Sequence, residues 1–361
     1  MTHPSSPSHT PSPDRVARAR RLRATRGSTL AVAAVAAVGA YYFARPEQPL
    51  LAPPRAVAAV AQKADFARPF AHLADAAFGR SGEVRMRFSL PGDTLYLPLI
   101  VADAPGVFAY TWVDVRDSSE VGTRRPLTGD SSLVAPEEPG FYRLAVVRDG
   151  LRSLVDEVTV SVLVPFAEKK GATIGGYRIG TYVGEKLAAR RAGLPDGFFR
   201  VDDAALELPV SRHLKLGDVL TTPDTPRLGF PQYATLDERL IEKLELVVAK
   251  VNELARQPAP QGPRITVNSG FRPPSYNARV PGAAKNSRHQ YGDAADVKID
   301  IDRNGRFTLD EVRIVARAVE AVEREHPDLA GGMGIYTGGH LRNPYVHIDA
   351  RGKRARWNGA G

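Results

Sequence analysis

The sequence predicts an all-β, sandwich-like domain followed by an α+β domain, with an N-terminal transmembrane anchor ahead of both. Three observations carry this prediction. Residues 28–44 form an uncharged, Ala/Val-rich run directly behind a cluster of arginines. Residues 82–165 alternate short runs of β-branched, aromatic and leucine residues with Pro/Gly turns, the texture of a small antiparallel β domain. From residue 235 onward, stretches with apolar residues at helical spacing alternate with short strand-like segments.

At 361 residues and 43% hydrophobic content, the chain can build two compact cores without staples. Cysteine is absent, which excludes disulfides, thiolate metal sites and cysteine nucleophiles, so any metal must sit on His, Asp or Glu. The net charge of +9 is unevenly placed. Arg15, Arg18, Arg20, Arg21, Arg23 and Arg26, with Asp14, leave +5 before residue 28, and Arg351, Lys353, Arg354 and Arg356 add +4 near the C-terminus. The middle is close to neutral. Nucleic-acid binding is not expected, because a basic face would place its charge in the folded part, interleaved with aromatics.

Residues 1–27 are Ser/Pro/Arg-rich and too polar to fold, so a disordered basic cytoplasmic tail is expected. The 17 residues 28–44 are the short limit for a membrane span, and Tyr41, Tyr42 and Phe43 sit where an interfacial belt would. Arginines before the run orient the N-terminus to the cytoplasm. A cleaved signal peptide, with small residues at Gly39 and Ala40, and twin-arginine export through Arg20-Arg21 are the alternatives. The residue count and the aromatics favour an uncleaved single-pass anchor, and every reading puts the remainder in the periplasm or outside the cell.

Residues 45–81, rich in Pro and Ala, are expected to be a stalk. In 82–165, strands are expected at 83–90, 95–101, 108–115, 141–147 and 155–162, separated by turns such as Pro91-Gly92-Asp93 and Asp149-Gly150. This domain of immunoglobulin-like size offers no convergent polar residues. A spacer is favoured over a wall- or partner-binding module. Residues 166–234 are irregular and expected to wrap the following domain, and His213 within them has a structural rather than a ligating setting.

The α+β domain spans 235–361. Thr235 and Glu238 form a capping-box pattern, Leu236, Leu240, Leu244, Val247, Val251 and Leu254 share one helical face, and Pro258 and Pro260 end the helix. A strand at 265–268 leads into Ser269-Gly270-Phe271-Arg272-Pro273-Pro274. Next comes Ser287-Arg288-His289-Gln290-Tyr291-Gly292-Asp293-Ala294-Ala295-Asp296, which enters a strand at 297–301. Tyr345-Val346-His347-Ile348-Asp349 is a later strand. A catalytic zinc takes three ligands of the His and carboxylate type and keeps a position for water. His289, Asp296 and His347 supply that set. Gly292 permits the tight loop, and Ala294 and Ala295 keep bulk from the metal. Strand period puts His347 and Asp349 on one face, so Asp349 can orient a ligand or join the active site.

The order S-G-F-R, then S-x-H-x-x-G-x-A-x-D, then V-H-I-D resembles the zinc D-alanyl-D-alanine carboxypeptidases, a family that includes D-Ala-D-Ala dipeptidases and endolysins cutting L-alanyl-D-glutamate bonds. The resemblance covers about residues 205–358. It implies an α+β zinc peptidase domain acting on peptidoglycan, with zinc on His289, Asp296 and His347. It also implies that Arg272 steadies the carbonyl oxygen as it becomes negative and that Ser287 assists. Bound zinc lowers the pKa of its water to about 7 and polarises the scissile carbonyl. The general base is where the pattern departs: better-known members carry an acid three positions before the last ligand, and Pro344 stands there. Asp349, Asp293 and His340 are the substitutes on offer. A non-catalytic wall-binding protein that keeps the fold is the competing reading.

Asp300, Asp302, Asn304, Gly305, Arg306 and Glu311 match the spacing of an EF-hand calcium loop, with the Arg306 backbone carbonyl as one ligand. Thr308 and Glu311 also form a capping box for a helix over 309–325 with Val312, Val315, Val319 and Val322 inward. A structural calcium is expected there. An acidic surface turn is the alternative.

Overall fold

The computed structural model describes residues 70–74, 78–101, 107–128, 132–186, 193–337 and 344–359. The expected tail (1–27) and anchor (28–44) lie outside these residues. Among the described residues no helix is long and apolar enough to cross a membrane.

The described residues all belong to one compact unit. Its first part is built on a five-stranded sheet in the order β2 (Met86–Ser89), β9 (Leu151–Val162), β8 (Gly140–Arg148), β5 (Ala109–Asp114), β6 (Glu120–Pro126). All its pairings are antiparallel except β2 with β9. Two antiparallel ladders accompany it: β1 (Ala71–Leu73) with β4 (Leu99–Val101), and β3 (Thr94–Tyr96) with β7 (Ser132–Val134). The run expected as one strand at 95–101 is thus two strands, broken near Pro98, whose missing N–H cannot serve a ladder. The stalk expected through residue 81 ends earlier. Phe70, Ala71, Leu73 and Phe78 are buried, because β1 supplies apolar surface to the β core.

Between the two parts, β10 (Val164–Pro165), β11 (Gly197–Arg200) and β12 (Tyr233–Ala234) form a small antiparallel sheet, and short helices occupy Asp203–Leu206, Leu216–Leu220 and Thr225–Leu228. His213 donates its backbone N–H to Glu245 and its ring Nδ1 lies 2.6 Å from the same buried carboxylate, a structural pairing. The core runs through this segment without a break: Phe88 stacks on Phe199 at 5.8 Å, and Phe141 meets Phe199 edge-on.

The C-terminal part is a second five-stranded sheet, ordered β13 (Arg264–Ser269), β14 (Ala294–Asp300), β16 (Tyr345–Asp349), β15 (Gly332–Tyr336), β17 (Ala355–Gly359). Only β15 with β17 is parallel. Helices α1 (Glu238–Leu254) and α2 (Leu309–Glu325) pack on one face. Ala295, Val297 and Ile299 of β14, with Val346 and Ile348 of β16, are buried with Leu240, Leu244, Val247, Val315, Val319 and Val322. The period of two along each strand therefore sends Asp296, His347 and Asp349 to the face without the helices. Ala295 belongs to the helix-packed set and does not clear space for a metal, as the sequence suggested; Ala294 lies on the metal face.

α1 starts differently from the expected box at Thr235. Asp237 is the cap, accepting from Arg239 N at 2.9 Å. Glu238 accepts from Phe88 N at 2.7 Å and pairs with Arg87 at 3.2 Å, because a main-chain donor from β2 competes successfully for its carboxylate. Leu254, expected on the buried stripe, is 39% exposed at the last turn.

One buried polar cluster ties the helices to the sheet. Lys243 of α1 donates to Glu323 of α2 at 2.7 Å and to the Asp349 carbonyl at 2.7 Å. Glu323 also accepts from Gly331 N at 3.0 Å and from Arg356. Removing one member of such a pair strands a buried charge, at a cost of about 3–5 kcal/mol. Glu323→Ala is therefore expected to lower the unfolding free energy by about that amount in urea titration.

Candidate metal centre

His289 sits on a 3-10 turn, Arg288–Tyr291, that runs up to the sheet. Gly292 ends the turn with φ +70°, where a Cβ would also collide with the Thr235 carbonyl. Asp296 lies mid-strand in β14 and is paired in register with His347 of β16. The ligand atoms converge: His289 Nε2 to His347 Nδ1 is 3.2 Å, His289 Nε2 to Asp296 Oδ1 is 3.4 Å, and His347 Nδ1 to Asp296 Oδ1 is 2.9 Å. A tetrahedral zinc at about 2.0–2.1 Å from each ligand needs them about 3.3–3.4 Å apart. The His289–Asp296 side meets this, the His289–His347 side at 3.2 Å falls just short, and the 2.9 Å hydrogen bond between His347 and Asp296 would have to open by a few tenths of an ångström to hold a metal. These three residues form a metal-capable group among the described residues.

The remaining ring nitrogens are also accounted for. His289 Nδ1 donates to the Gly270 carbonyl at 2.8 Å, and His347 Nε2 faces Asp349 Oδ2 at 3.2 Å. Metal-binding histidines commonly give their second N–H to a carbonyl or carboxylate, which fixes the tautomer. Burial, opposed by Asp296, lowers His289 to about 4, so its ring is neutral at neutral pH and its lone pair is free for a metal. For His347, burial alone would lower the pKa. The hydrogen bonds to Asp296 and Asp349 outweigh burial and raise it. Burial acts to raise the Asp296 pKa, yet it is lowered and the carboxylate stays ionised, with His347 Nδ1 as its hydrogen-bond donor.

Asp349, offered by the sequence as a base, is placed behind His347. Its carboxylate accepts from Gly332 N at 2.7 Å, from Arg351 Nε at 2.9 Å and from the His347 ring. It is a positioning residue, with no lone pair spare to take a water proton. Asp293 is buried, accepts from Arg288 Nε at 2.8 Å and is engaged by a second Arg288 nitrogen. Burial pushes it up to about 6 in spite of Arg288. Ser287 starts the turn that carries His289, with no side-chain cap bond. Arg272 is anchored by its own N–H to the His289 carbonyl at 3.0 Å. Its Nε is buried without a partner among the described residues, and burial lowers its pKa against the pull of Asp296. His340 lies outside the described residues.

The sequence reading missed what surrounds His347 on the sheet. Trp357 packs 5.1 Å from its ring, and Tyr336 and Tyr345 stack at 4.4 Å with planes 5° apart. The spacing Tyr345-x-His347 on a strand was the available signal.

At the 300–311 loop, Asp300 accepts from Asn304 N at 3.1 Å and Gly305 N at 2.8 Å, Asp302 from Asn304 N and Nδ2, and Asn304 Oδ1 from Arg306 N at 2.8 Å. Glu311 closes the capping box with Thr308 and accepts from Ile301 N at 2.9 Å. That single carboxylate ties the start of α2 to the end of Asp296's strand. Asp300, Asp302 and Glu311 do bring carboxylate oxygens within 4.8 Å of one another, yet turn and capping bonds already account for the pattern.

A two-faced sheet with helices behind thus carries in front a His/Asp/His set whose donor types suit a catalytic zinc. Residues 234–327 match the family model for Peptidase M15, so the C-terminal part of the chain carries an M15-type peptidase domain. The match includes His289 and Asp296 and stops before His347, which the strand register and the ligand-atom distances add to the set. No curated protein and no solved structure matches the chain.

Asp349→Asn keeps the shape but weakens the hold on His347. Zinc affinity is expected to fall about 10–100-fold, measured by competition with a chromophoric chelator.

Proposed function

We propose that the protein is a zinc peptidase hydrolysing peptide bonds in peptidoglycan stem peptides, as a D-Ala-D-Ala carboxypeptidase or a cross-link endopeptidase. It would work outside the cytoplasmic membrane, held there by residues 28–44. The observation that carries this reading is the triangle of ligand atoms on His289, Asp296 and His347, with each histidine's second nitrogen already paired. Zinc bound there would supply a polarised carbonyl and a water acidified to a pKa of about 7. The chain's own contribution begins with Arg272, whose buried, unpartnered Nε can receive the charge that develops on the carbonyl oxygen. Asp349 and the Gly270 carbonyl hold the histidine rings in place.

A second reading, a wall-binding protein without catalysis, is favoured by one observation. Pro344 replaces the expected acid, and Asp349 and Asp293 are both committed to arginines. Digestion of purified muropeptides with and without chelator separates the two. Chelator-sensitive product is expected, with His289→Ala losing stoichiometric zinc and product together; binding without product would establish the second reading.

Calcium at Asp300, Asp302, Asn304, Arg306 and Glu311 is a separate proposal that rests on the complete oxygen-ligand spacing. Calorimetry in chelated buffer should give a calcium heat and a higher melting temperature. A flat titration with unchanged melting would leave the loop as a turn and cap alone.

A further inference from the structure

The metal face of the C-terminal sheet is laid out in rows. Asp296, His347, Gly334 and Trp357 are successive partners across β14, β16, β15 and β17. The next row holds Tyr345, Tyr336 and Gly359. In both rows a glycine makes room for a neighbouring ring: a Cβ on Gly334 would collide with Trp357, and one on Gly359 with Tyr336. Trp357 Nε1 donates to the Tyr336 hydroxyl at 2.9 Å, and Tyr336 stacks on Tyr345 at 4.4 Å, almost parallel. Indole, glycines and Tyr336 together hold the Tyr345 ring in one orientation.

The two tyrosines differ in what their hydroxyls do. That of Tyr336 is satisfied by Trp357. That of Tyr345 has no hydrogen-bond partner among the described residues. Tyr345 lies two residues before His347 on the same face of β16. The Asp296 carboxylate and the Arg272 guanidinium both act on its phenol, and burial, ahead of Asp296, raises its pKa. Arg272, whose own pKa is lowered by burial, in turn feels Asp296, Tyr276, Tyr345 and Tyr336.

We propose that Tyr345 is a further catalytic residue: its stacked, otherwise unpartnered hydroxyl donates a hydrogen bond to the scissile carbonyl oxygen, beside Arg272. This rests on the peptidase reading given above. In hydrolysis the oxygen of water joins the carbonyl carbon as the π pair moves onto the carbonyl oxygen; that pair then re-forms the carbonyl as the C–N bond breaks, its electrons leave on nitrogen, and a proton from the attacking water passes to the amine. Tyr345 keeps its own proton throughout and serves only the oxygen that gains charge. A donor aimed at that oxygen acts on turnover more than on ground-state binding.

The test compares wild type with Tyr345→Phe, which keeps the ring and its stack. Three quantities are measured on the zinc-loaded full chain: kcat and KM on pentapeptide muropeptides, affinity for a D-alanyl-D-alanine phosphinate as transition-state mimic, and zinc stoichiometry. The expected result is kcat lowered roughly 10–100-fold with KM nearly unchanged, phosphinate binding weakened in parallel, and zinc content intact. Wild-type rates and phosphinate affinity in the variant would overturn the role of Tyr345 and leave the peptidase reading standing. A wild-type protein that neither cuts muropeptides nor binds the phosphinate would overturn both. Should Tyr345→Phe lose zinc, the residue is structural and the proposal falls.

Discussion

An imidazole can give a metal only one of its two nitrogens, and the metal centre depends on how the other one is occupied. The Gly270 carbonyl settles this for His289 and the Asp349 carboxylate for His347, leaving Nε2 of one ring and Nδ1 of the other turned to Asp296. These two acceptors come from different parts of the chain. Gly270 follows β13, and its own N–H and that of Phe271 are held by Thr221 and Val219. Asp349 is held by Gly332 and Arg351, while its backbone carbonyl takes Lys243 from α1. The geometry of the ligands is thus set by main-chain pairing more than by the ligands themselves.

The sheet makes this possible by separating two jobs. One face carries small and β-branched residues against α1 and α2, burying apolar surface at about 25 cal/mol per Å². The other face carries the polar residues, which would be costly in that core. Strand alternation keeps the two sets apart, and the Asp296–His347 register could not slip by one residue without sending one of the two into the apolar layer.

Much of the ligand set was legible because it is local. His289, Gly292 and Asp296 lie within one turn and strand, and the Thr308–Glu311 box with its helix over 309–325 follows from a fixed spacing. What was not legible depends on distant partners. Glu238 looked like a cap for Thr235 until β2 presented an N–H to it. Nothing in the sequence marks Lys243 and Glu323 as partners, and only the packing of α1 on α2 turns them into a buried pair. β6, Glu120–Pro126, has no apolar alternation because almost all of it is exposed at the sheet edge. Asp349 looked available as a base because nothing in the sequence announces that Arg351 and Gly332 close around it.

The hydrogen bond from Phe88 to Glu238 and the stack of Phe88 on Phe199 run across what the sequence divides into separate modules. With the core continuous from Phe70 to Ala350, the β part is a buttress for the first turn of α1 and not a detachable spacer. The described residues on both sides of that division therefore pack as one unit. A boundary drawn around the peptidase motif alone would cut through a shared interior.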